Sequence, residues 1–370
     1  MSRLVPYIHA HSPHMRRVIV FSLLVVMITS PVLLMQLFLP RQNSPQETLH
    51  IALGANMHVI PGLVTTMWSV QQHTRAPGMS VILLPLCPHS YFLNSVLFYL
   101  FVTEDKEATA IWQMMECMGI PKESVASVVV IEERDYYVAQ VRSDLSISTN
   151  FVRLFLPEEL PSDISKVLWL DSDVVAQRDL TELWRSAFEG PYRDFAVAAV
   201  PRVDGKDYEY TFGGKINNSA IFKKAFAQRY PDGNIDLEKP AFNAGVMLLN
   251  LANLRKEQGR YAKEEMVWWA KWNLEKKCWT GGSQPLAMLL AEFSQARDYQ
   301  RLDPVWNVEF GATRGNAQKG WNEKTGILHW TWTQPVKPWL RDLRQRSLEF
   351  WLPYGYPVMK CYRKLELPET

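Results

Sequence analysis

Apolar and polar positions follow two patterns along this chain, short apolar runs and longer stretches with helical spacing. Short runs at residues 49–53, 80–86 and 125–131 predict strands, and helical periodicity over residues 63–73 and 105–118 predicts helices between them. Strands that alternate with helices favour a parallel sheet with helices on both faces. The pattern therefore predicts an α/β fold of the nucleotide-binding type.

The most informative apolar run, residues 166–170, predicts a buried strand that ends in Asp171-Ser172-Asp173. Residues two apart in an extended chain point to the same side, so Asp171 and Asp173 can converge on one cation. Ligands of open α/β sheets bind just beyond the carboxyl ends of such strands. We therefore expect a nucleotide phosphate and a divalent metal at this place.

Two other interpretations of this motif remain open on these residues alone. The aspartates could bond nearby backbone amides in a strand-end turn. Alternatively, the first could be a nucleophile and the second a general acid in a phosphatase of the haloacid dehalogenase kind. In that class the motif usually opens the domain, whereas here more than a hundred residues of predicted α/β structure precede Asp171.

Two further segments carry candidate binding groups. Residues 242–245, Phe-Asn-Ala-Gly, predict a turn that leads into an apolar strand. Gly245 permits close approach of a ligand to the backbone, and Asn243 can exchange hydrogen bonds with sugar hydroxyls. Arg153, in a helix predicted over residues 146–155, could hold diphosphate or sugar oxygens with both arms of its guanidinium. The open alternatives are that Asn243 only bonds within its turn and that Arg153 is a surface charge.

A late strand ends at His329 and is followed by Lys337-Pro338-Trp339. An imidazole at this place could reach a metal held by Asp171 and Asp173. Lys337 could then balance phosphate charge.

Composition fits a globular protein. Of its 370 residues, 47% are hydrophobic and 21% are charged, which suits a chain with a substantial core. The formal net charge of +2 leaves no general basic surface, so nucleic acid is not an expected partner.

Residues 18–39 are nearly all apolar and uncharged, about the length that crosses a bilayer as a helix. More arginines precede than follow this segment, which leaves the N-terminus in the cytosol and the rest of the chain in a lumen. A cleaved signal peptide is the alternative, but no small-x-small cleavage site follows. We expect residues 1–17 to be cytosolic, 18–39 to be a transmembrane signal anchor in the lipid bilayer, and 40–48 to be a stem.

A lumenal compartment is oxidising, so cysteines could form disulfides. Four cysteines allow three connectivities, and buried free thiols fit equally well. They are Cys87, Cys117, Cys278 and Cys361.

Taken in order, these elements resemble glycosyltransferase family 8, whose members transfer sugars from nucleotide-sugars with retention of configuration. The similarity runs from about Leu49 to Trp339 and includes galacturonosyltransferase-like and single-anchor, Golgi-type members. It rests on the order and spacing of residues 166–173 with 180–184, 242–251, 303–307 and 329–339.

The resemblance implies a GT-A fold, a Rossmann-like, mixed but mostly parallel sheet flanked by helices, over residues 49–340, with 341–370 as a C-terminal extension. It implies a UDP-sugar donor, a glycan or glycoconjugate acceptor, and Mn²⁺ bound by Asp171, Asp173 and His329. This mixed nitrogen and oxygen donor set suits Mn²⁺ better than Mg²⁺, which is the alternative ion. The implied location is a Golgi or other secretory-pathway membrane, as a single-pass type II protein.

The resemblance also implies roles for residues around the donor. Arg153 and Asn243 match positions that contact it, Asn243 on the sugar, and Gln284 falls beside the reactive sugar face. Asn56 stands where the family often has an aspartate at the uracil contact, and an asparagine can still bond a base edge. An amide such as that of Gln284 is a poor nucleophile, so a front-face displacement is preferred over a covalent intermediate.

Two departures from the family pattern lie in the last segment. Trp332 stands where the family usually has glycine, and Lys337 follows His329 by eight residues, two more than usual. These changes motivate an alternative function, that of a catalytically inactive relative that binds UDP or glycan or acts as a scaffold.

Overall fold

The computed structural model describes most of the chain from residue 48 onward. No helix in these parts of the chain combines the length and the apolar character that a bilayer span requires. The predicted anchor at residues 18–39 and the predicted strand at 80–86 lie outside the described residues. The described ranges are 48–74, 96–131, 148–189, 195–202, 206–213, 219–256, 263–279, 282–293, 297–309, 323–331, 337–340 and 350–367.

Ten strands form two sheets within the described residues. A seven-stranded sheet has the order β3-β2-β1-β4-β7-β6-β8, and a small sheet has the order β5-β10-β9. The strands are β1 (Leu49–Gly54), β2 (Val96–Val102), β3 (Val125–Val130), β4 (Lys166–Leu170), β5 (Val174–Ala176), β6 (Val197–Pro201), β7 (Phe242–Asn250), β8 (Gln300–Arg301), β9 (Val308–Glu309) and β10 (Ile327–His329).

The large sheet is mixed but mostly parallel. Strands β3, β2, β1 and β4 run parallel, and β6 pairs with β8 in parallel. Strand β7 is antiparallel to both of its neighbours, β4 and β6. This is the GT-A-like α/β architecture that the sequence predicts, and its carboxyl edge at β1 and β4 is where nucleotides bind in such sheets.

Helices cover both faces of this sheet. They are α1 (Ile60–His73), α2 (Asp105–Met118), α3 (Leu156–Glu159), α4 (Leu180–Glu189), α5 (Tyr208–Gly213), α6 (Ser219–Arg229), α7 (Leu251–Leu254), α8 (Lys263–Lys276), α9 (Gln284–Glu292) and α10 (Leu352–Lys364).

Each face of the sheet has its own hydrophobic core, because successive strand residues point to opposite sides. Val167 and Trp169 of β4 pack with residues of α8 and α9, whereas Leu168 and Leu170 pack with residues of α1, α2 and α4. Nearly continuous apolar strands are typical of a sheet buried on both faces.

Two local predictions were wrong. The helix predicted over residues 146–155 is a pair of 3-10 turns, Ser148–Asn150 and Val152–Leu154, before the short helix α3. Pro157 lacks a backbone N–H and fits only the first turn of a helix, so a new helix begins there. Residues 242–245 are not a turn but the first residues of β7, where Phe242 pairs with Pro201.

The C-terminal helix α10 packs against the main domain. Its Val358 and Tyr362 are buried in the same core as residues of α1 and α2. A disulfide joins Cys117 of α2 to Cys361 of α10, 244 residues later. Cys278 is a free, buried thiol, and Cys87 lies outside the described residues. The structure thus selects one pairing that the sequence left open.

Candidate metal and nucleotide-sugar site

The site begins at the carboxyl end of β4, where the strand runs directly into Asp171. The backbone N–H of Asp171 donates to the carbonyl of Gly245 at 2.8 Å, which extends the pairing between β4 and β7 by one residue. The carbonyl of Asp173 accepts from the backbone N–H of Trp330 at 3.0 Å, so Asp173 lies beside the end of β10. Backbone bonds on both sides therefore hold the Asp-x-Asp segment in place.

His329, the last residue of β10, faces both aspartates. Its Nε2 lies 3.2 Å from Asp173 Oδ1 and 3.8 Å from Asp171 Oδ2. One ligand atom from each of the three residues lies within 4.8 Å of the others. The other ring nitrogen, Nδ1, is 2.9 Å from Asn307 Oδ1, an acceptor that places the proton on Nδ1. Nε2 is then the ring nitrogen that faces the carboxylates, as in histidines that bind metals.

Gly245 makes this close packing sterically feasible. A β-carbon built at Gly245 would lie 2.1 Å from His329 Cε1 and 2.8 Å from Asp171 Oδ2. Any side chain there would occupy the space that these two groups fill. The sequence suggested that Gly245 leaves room for a ligand, whereas in the structure it leaves room for the side chains of His329 and Asp171.

Arg153 orients Asp171 from the opposite side. Its Nη2 is 2.8 Å from Asp171 Oδ1, which also accepts from Trp169 Nε1 at 2.8 Å. Its Nη1 donates to the carbonyl of Ala244 at 2.8 Å, and its guanidinium lies 4.7 Å from the centroid of the Trp169 ring. Because Oδ1 is committed to these donors, Oδ2 of Asp171 is the oxygen that faces His329.

Lys337 holds one carboxylate oxygen of Asp173, as Arg153 holds one of Asp171. Its Nζ donates to Asp173 Oδ2 and, at 2.7 Å, to the carbonyl of Trp330. Burial disfavours the charged carboxylate, but Lys337 and His329 outweigh burial and hold the pKa of Asp173 well below its ordinary value. Asp173 is therefore an anion with Oδ1 turned towards His329.

Asn243 has both ends of its side chain engaged. Its Oδ1 accepts from the backbone N–H of Gly245 at 2.9 Å, and its Nδ2 donates to Glu309 Oε1 at 2.8 Å. It lies on β7 two residues before Gly245, at the border of the group formed by Asp171, Asp173 and His329, which we call the metal cluster for the ion it could hold. Its side chain can still accept or donate one further hydrogen bond, because each end has a second site.

Gln284 binds the backbone of β7. Its Oε1 accepts from Ala244 N at 2.8 Å and its Nε2 donates to the carbonyl of Phe242 at 2.5 Å. The first residue of α9 thus fixes the strand segment that carries Asn243 and Gly245. With both amide ends so engaged, Gln284 is arranged as a positioning residue.

Asn56 follows β1 at the same edge of the sheet. Its Oδ1 is buried and has no hydrogen-bond partner among the described residues. The predicted site residues are thus brought together, most of them by direct contact and Asn56 by its place at the end of the strand next to β4.

The sequence model of glycosyltransferase family 8 matches residues 50–342, which include every residue of this site. The chain belongs to glycosyltransferase family 8. The family places the Asp-x-Asp motif in a glycosyltransferase, and the haloacid dehalogenase alternative is set aside on this finding.

Curated relatives of this family 8 chain include two proteins of Arabidopsis thaliana. "Probable galacturonosyltransferase-like 8" is 23% identical over 333 residues, which cover 87% of this chain and 74% of that protein. "Probable galacturonosyltransferase-like 4" is 24% identical over 315 residues, covering 83% and 79%.

Solved structures with the same fold include LgtC, a galactosyltransferase. An active-site mutant of LgtC is 18% identical with a TM-score of 0.55, over 83% of this chain and 95% of that one. LgtC in complex with donor and acceptor sugar analogs has a TM-score of 0.53, also at 18% identity, over 83% of this chain and 95% of that one. These similarities agree with the GT-A-like fold.

The residues present fit a divalent metal. Asp171 Oδ2, Asp173 Oδ1 and His329 Nε2 face one another, and the remaining polar atom of each side chain is held by protein. Ligands that are oriented by surrounding hydrogen bonds are typical of metal sites.

Two residues of the site were missed in the sequence. Asn307 lies in the segment 303–307 that supports the family resemblance, but nothing in that segment indicates that it would hold His329. Glu309 is placed next to His329 only by the pairing of β9 with β10. Contacts between segments this short and this distant in sequence leave no periodic signal.

Proposed function

We propose that this family 8 member transfers a sugar from a UDP-sugar to a glycan or glycoconjugate hydroxyl, with retention of configuration and dependence on Mn²⁺. The observation that carries the proposal is the mutual orientation of Asp171 Oδ2, Asp173 Oδ1 and His329 Nε2 at the carboxyl edge of the sheet. Mg²⁺ is the alternative ion, although the imidazole ligand favours Mn²⁺.

The metal would neutralise charge that develops on departing UDP. Asp171, Asp173 and His329 would hold it, and the ammonium of Lys337, already at Asp173, would lie beside the diphosphate. Arg153 keeps Oδ2 of Asp171 directed at the cation by holding Oδ1. Asn56, with its unpaired Oδ1, would bind the edge of the uracil.

Retention by front-face displacement suits the engaged amide of Gln284. Both of its amide ends bind the backbone of β7, so it stabilises the wall of the site and is not poised to attack the sugar. In such a displacement the leaving phosphate helps to deprotonate the incoming hydroxyl.

The proposal includes a type II anchor at residues 18–39 and a lumenal domain in the Golgi or another secretory-pathway membrane. The disulfide between Cys117 and Cys361 agrees with an oxidising compartment. Protection of the domain from added protease in intact vesicles would test this topology.

Activity is tested by incubating the purified full-length chain with Mn²⁺ and each of a panel of UDP-sugars. The relatives are named galacturonosyltransferase-like, so UDP-galacturonate belongs in the panel beside neutral UDP-hexoses and UDP-pentoses. We expect slow release of UDP even without acceptor. Folded protein that binds and turns over none of these donors would refute the proposal.

One observation favours the second candidate, a nucleotide-binding relative without turnover. The ammonium of Lys337 bonds to Asp173 Oδ2 and already offsets part of the charge of this carboxylate, so Asp173 would attract a metal less strongly. UDP binding that is independent of metal, without turnover of any donor, would support that function instead.

A further inference from the structure

Glu309 is a largely buried carboxylate beside the metal cluster. Strand β9 pairs in parallel with β10, and Glu309 is the register partner of His329. Paired residues of neighbouring strands, about 4.8 Å apart, carry their side chains on the same face. Only 9% of the Glu309 side chain is exposed. Its carboxylate therefore shares the face of the small sheet from which His329 reaches the aspartates.

The two oxygens of Glu309 have different surroundings. Oε1 accepts from Asn243 Nδ2 at 2.8 Å, which fixes the orientation of that carboxamide. Oε2 lies 3.9 Å from Arg202 Nη2, which is beyond hydrogen-bond distance. Glu309 thus orients Asn243 and keeps an oxygen with capacity to accept a further hydrogen bond.

The small sheet separates two charged flanks of the site. Strand β10 lies between β5 and β9. Asp173, which Lys337 contacts, immediately precedes β5, whereas Glu309 lies on β9 and faces Arg202. We call the β5 side, with Asp173 and Lys337, the Lys337 flank, and the β9 side, with Glu309 and Arg202, the Glu309 flank. A ligand whose phosphates lie on the Lys337 flank would extend across His329 to the Glu309 flank.

We infer that Glu309 binds a hydroxyl of the transferred sugar and selects neutral sugars over uronates. This inference rests on the proposed function, because it takes the ligand to be a UDP-sugar with its diphosphate at Asp171, Asp173 and His329. A carboxylate is a strong acceptor for a sugar hydroxyl, since hydrogen bonds to ionised groups are stronger than neutral ones.

Charge is the reason for the selection. The carboxylate of a uronate on this flank would meet the carboxylate of Glu309 at a site shielded from water, where like charges repel strongly. The guanidinium of Arg202 faces Glu309, so its positive charge is already offset there. The flank has no net positive charge from this pair with which to hold a second anion.

Calorimetry of the full-length chain with Mn²⁺ tests this inference with UDP, UDP-glucose, UDP-galactose, UDP-glucuronate and UDP-galacturonate. We expect wild-type protein to bind at least one neutral donor about tenfold more tightly than the matching uronate, the size of a charged hydrogen bond. In Glu309→Gln that ratio should fall to about threefold or less, because the amide still accepts from Asn243 but no longer repels an anion. In both proteins the affinity for UDP itself should agree within about twofold, since Glu309 lies on the sugar flank.

Glu292→Gln is the matched control, because it makes the same substitution at another buried glutamate, at the far end of α9 from Gln284. It should leave the sugar preference unchanged. Wild-type preference for a uronate, or an unchanged ratio in folded Glu309→Gln, would overturn the inference alone. Failure of UDP and every UDP-sugar to bind would overturn the proposed function together with it. If the variant does not fold, a wild-type preference for the uronate still overturns the inference.

Discussion

The Cα of Gly245 packs so closely on the imidazole of His329 that a β-carbon at residue 245 would stand 2.1 Å from His329 Cε1. Strand β7 and the metal cluster are therefore in direct contact. The geometry of the cluster therefore depends on the absence of a side chain at residue 245.

Gly245→Ala is expected to disable the site while the fold survives. The added methyl must displace His329 and Asp171, and overpacking of this kind costs about 1–3 kcal/mol of stability. A displacement near 1 Å of the ligands should lower kcat/KM about a hundredfold. Steady-state kinetics with Mn²⁺, beside thermal unfolding, measures both effects.

Gly119→Ala is the control for this substitution. Gly119 has a φ of 67° and open space where a β-carbon would lie, so it should lose some stability but no activity. Equal losses of activity in the two variants would show that Gly245 acts through general stability.

Asn307 is expected to tune metal affinity through His329. Asn307→Leu removes the acceptor for His329 Nδ1 and should weaken Mn²⁺ binding about 10–100-fold, the usual cost of losing such a partner. Asn307→Asp keeps an acceptor and should stay near wild type. Titration of Mn²⁺ in the presence of UDP compares the three proteins, and equal loss in both variants would contradict the role of the hydrogen bond.

Glu292 is expected to make stability fall as pH rises. Burial raises the pKa of Glu292 to about 7 from its ordinary value of 4.5, although Lys239 at 2.8 Å opposes the rise. The folded protein therefore holds a proton that the unfolded chain releases. The stabilisation is complete below pH 4.5 and is lost as the pH rises through about 7.

The stabilisation that is lost when Glu292 ionises amounts to at most about 3 kcal/mol, at 1.36 kcal/mol per pKa unit. Glu292→Gln removes this titration and should flatten the unfolding free energy between pH 4.5 and about 7. Urea unfolding across that interval provides the comparison. A wild-type curve that rises with pH there, together with an unchanged curve for the variant, would show that Glu292 does not titrate as described.

The Cys117–Cys361 disulfide is expected to stabilise the attachment of α10. It closes a long loop of 244 residues, so replacing both cysteines with serine should cost about 2–5 kcal/mol. Reducing agent should lower the wild-type urea midpoint to that of the double variant. Cys278→Ala should keep this sensitivity, since Cys278 is a free thiol. Reductant without effect on wild type would contradict the pairing.

The strands and helices that carry strong periodicity were predictable. The strands β1, β3 and β4 and the helices α1 and α2 were confirmed. Local pattern and burial agree at β1 and β4, whereas β3 is an edge strand with no buried residue. The segment from 201 to 240 could not be assigned, and it contains α5 and α6. The polar, glycine-containing connections around these helices weaken their periodic signal.

The metal cluster was predictable in its members, because two of its ligands are two residues apart on one strand end and the third ends another strand. The supporting contacts were not. Asn307 and Glu309 reach the site through the pairing of two-residue and three-residue strands. Gln284 reaches it by hydrogen bonding to the backbone of β7 at Ala244. Such tertiary contacts depend on how distant segments pack, which no spacing in the sequence records.

The most direct test of the central claim is calorimetry of UDP binding with and without Mn²⁺, in wild-type protein and in Asp173→Asn. We expect UDP binding that requires Mn²⁺ in wild type and weakens at least about a hundredfold in the variant, as expected when a metal ligand is lost. Thermal unfolding of both proteins verifies that the variant is folded. Equal UDP affinity with Mn²⁺ and with a chelator, or unchanged metal-dependent binding in folded Asp173→Asn, would contradict the claim that these residues hold a metal on UDP.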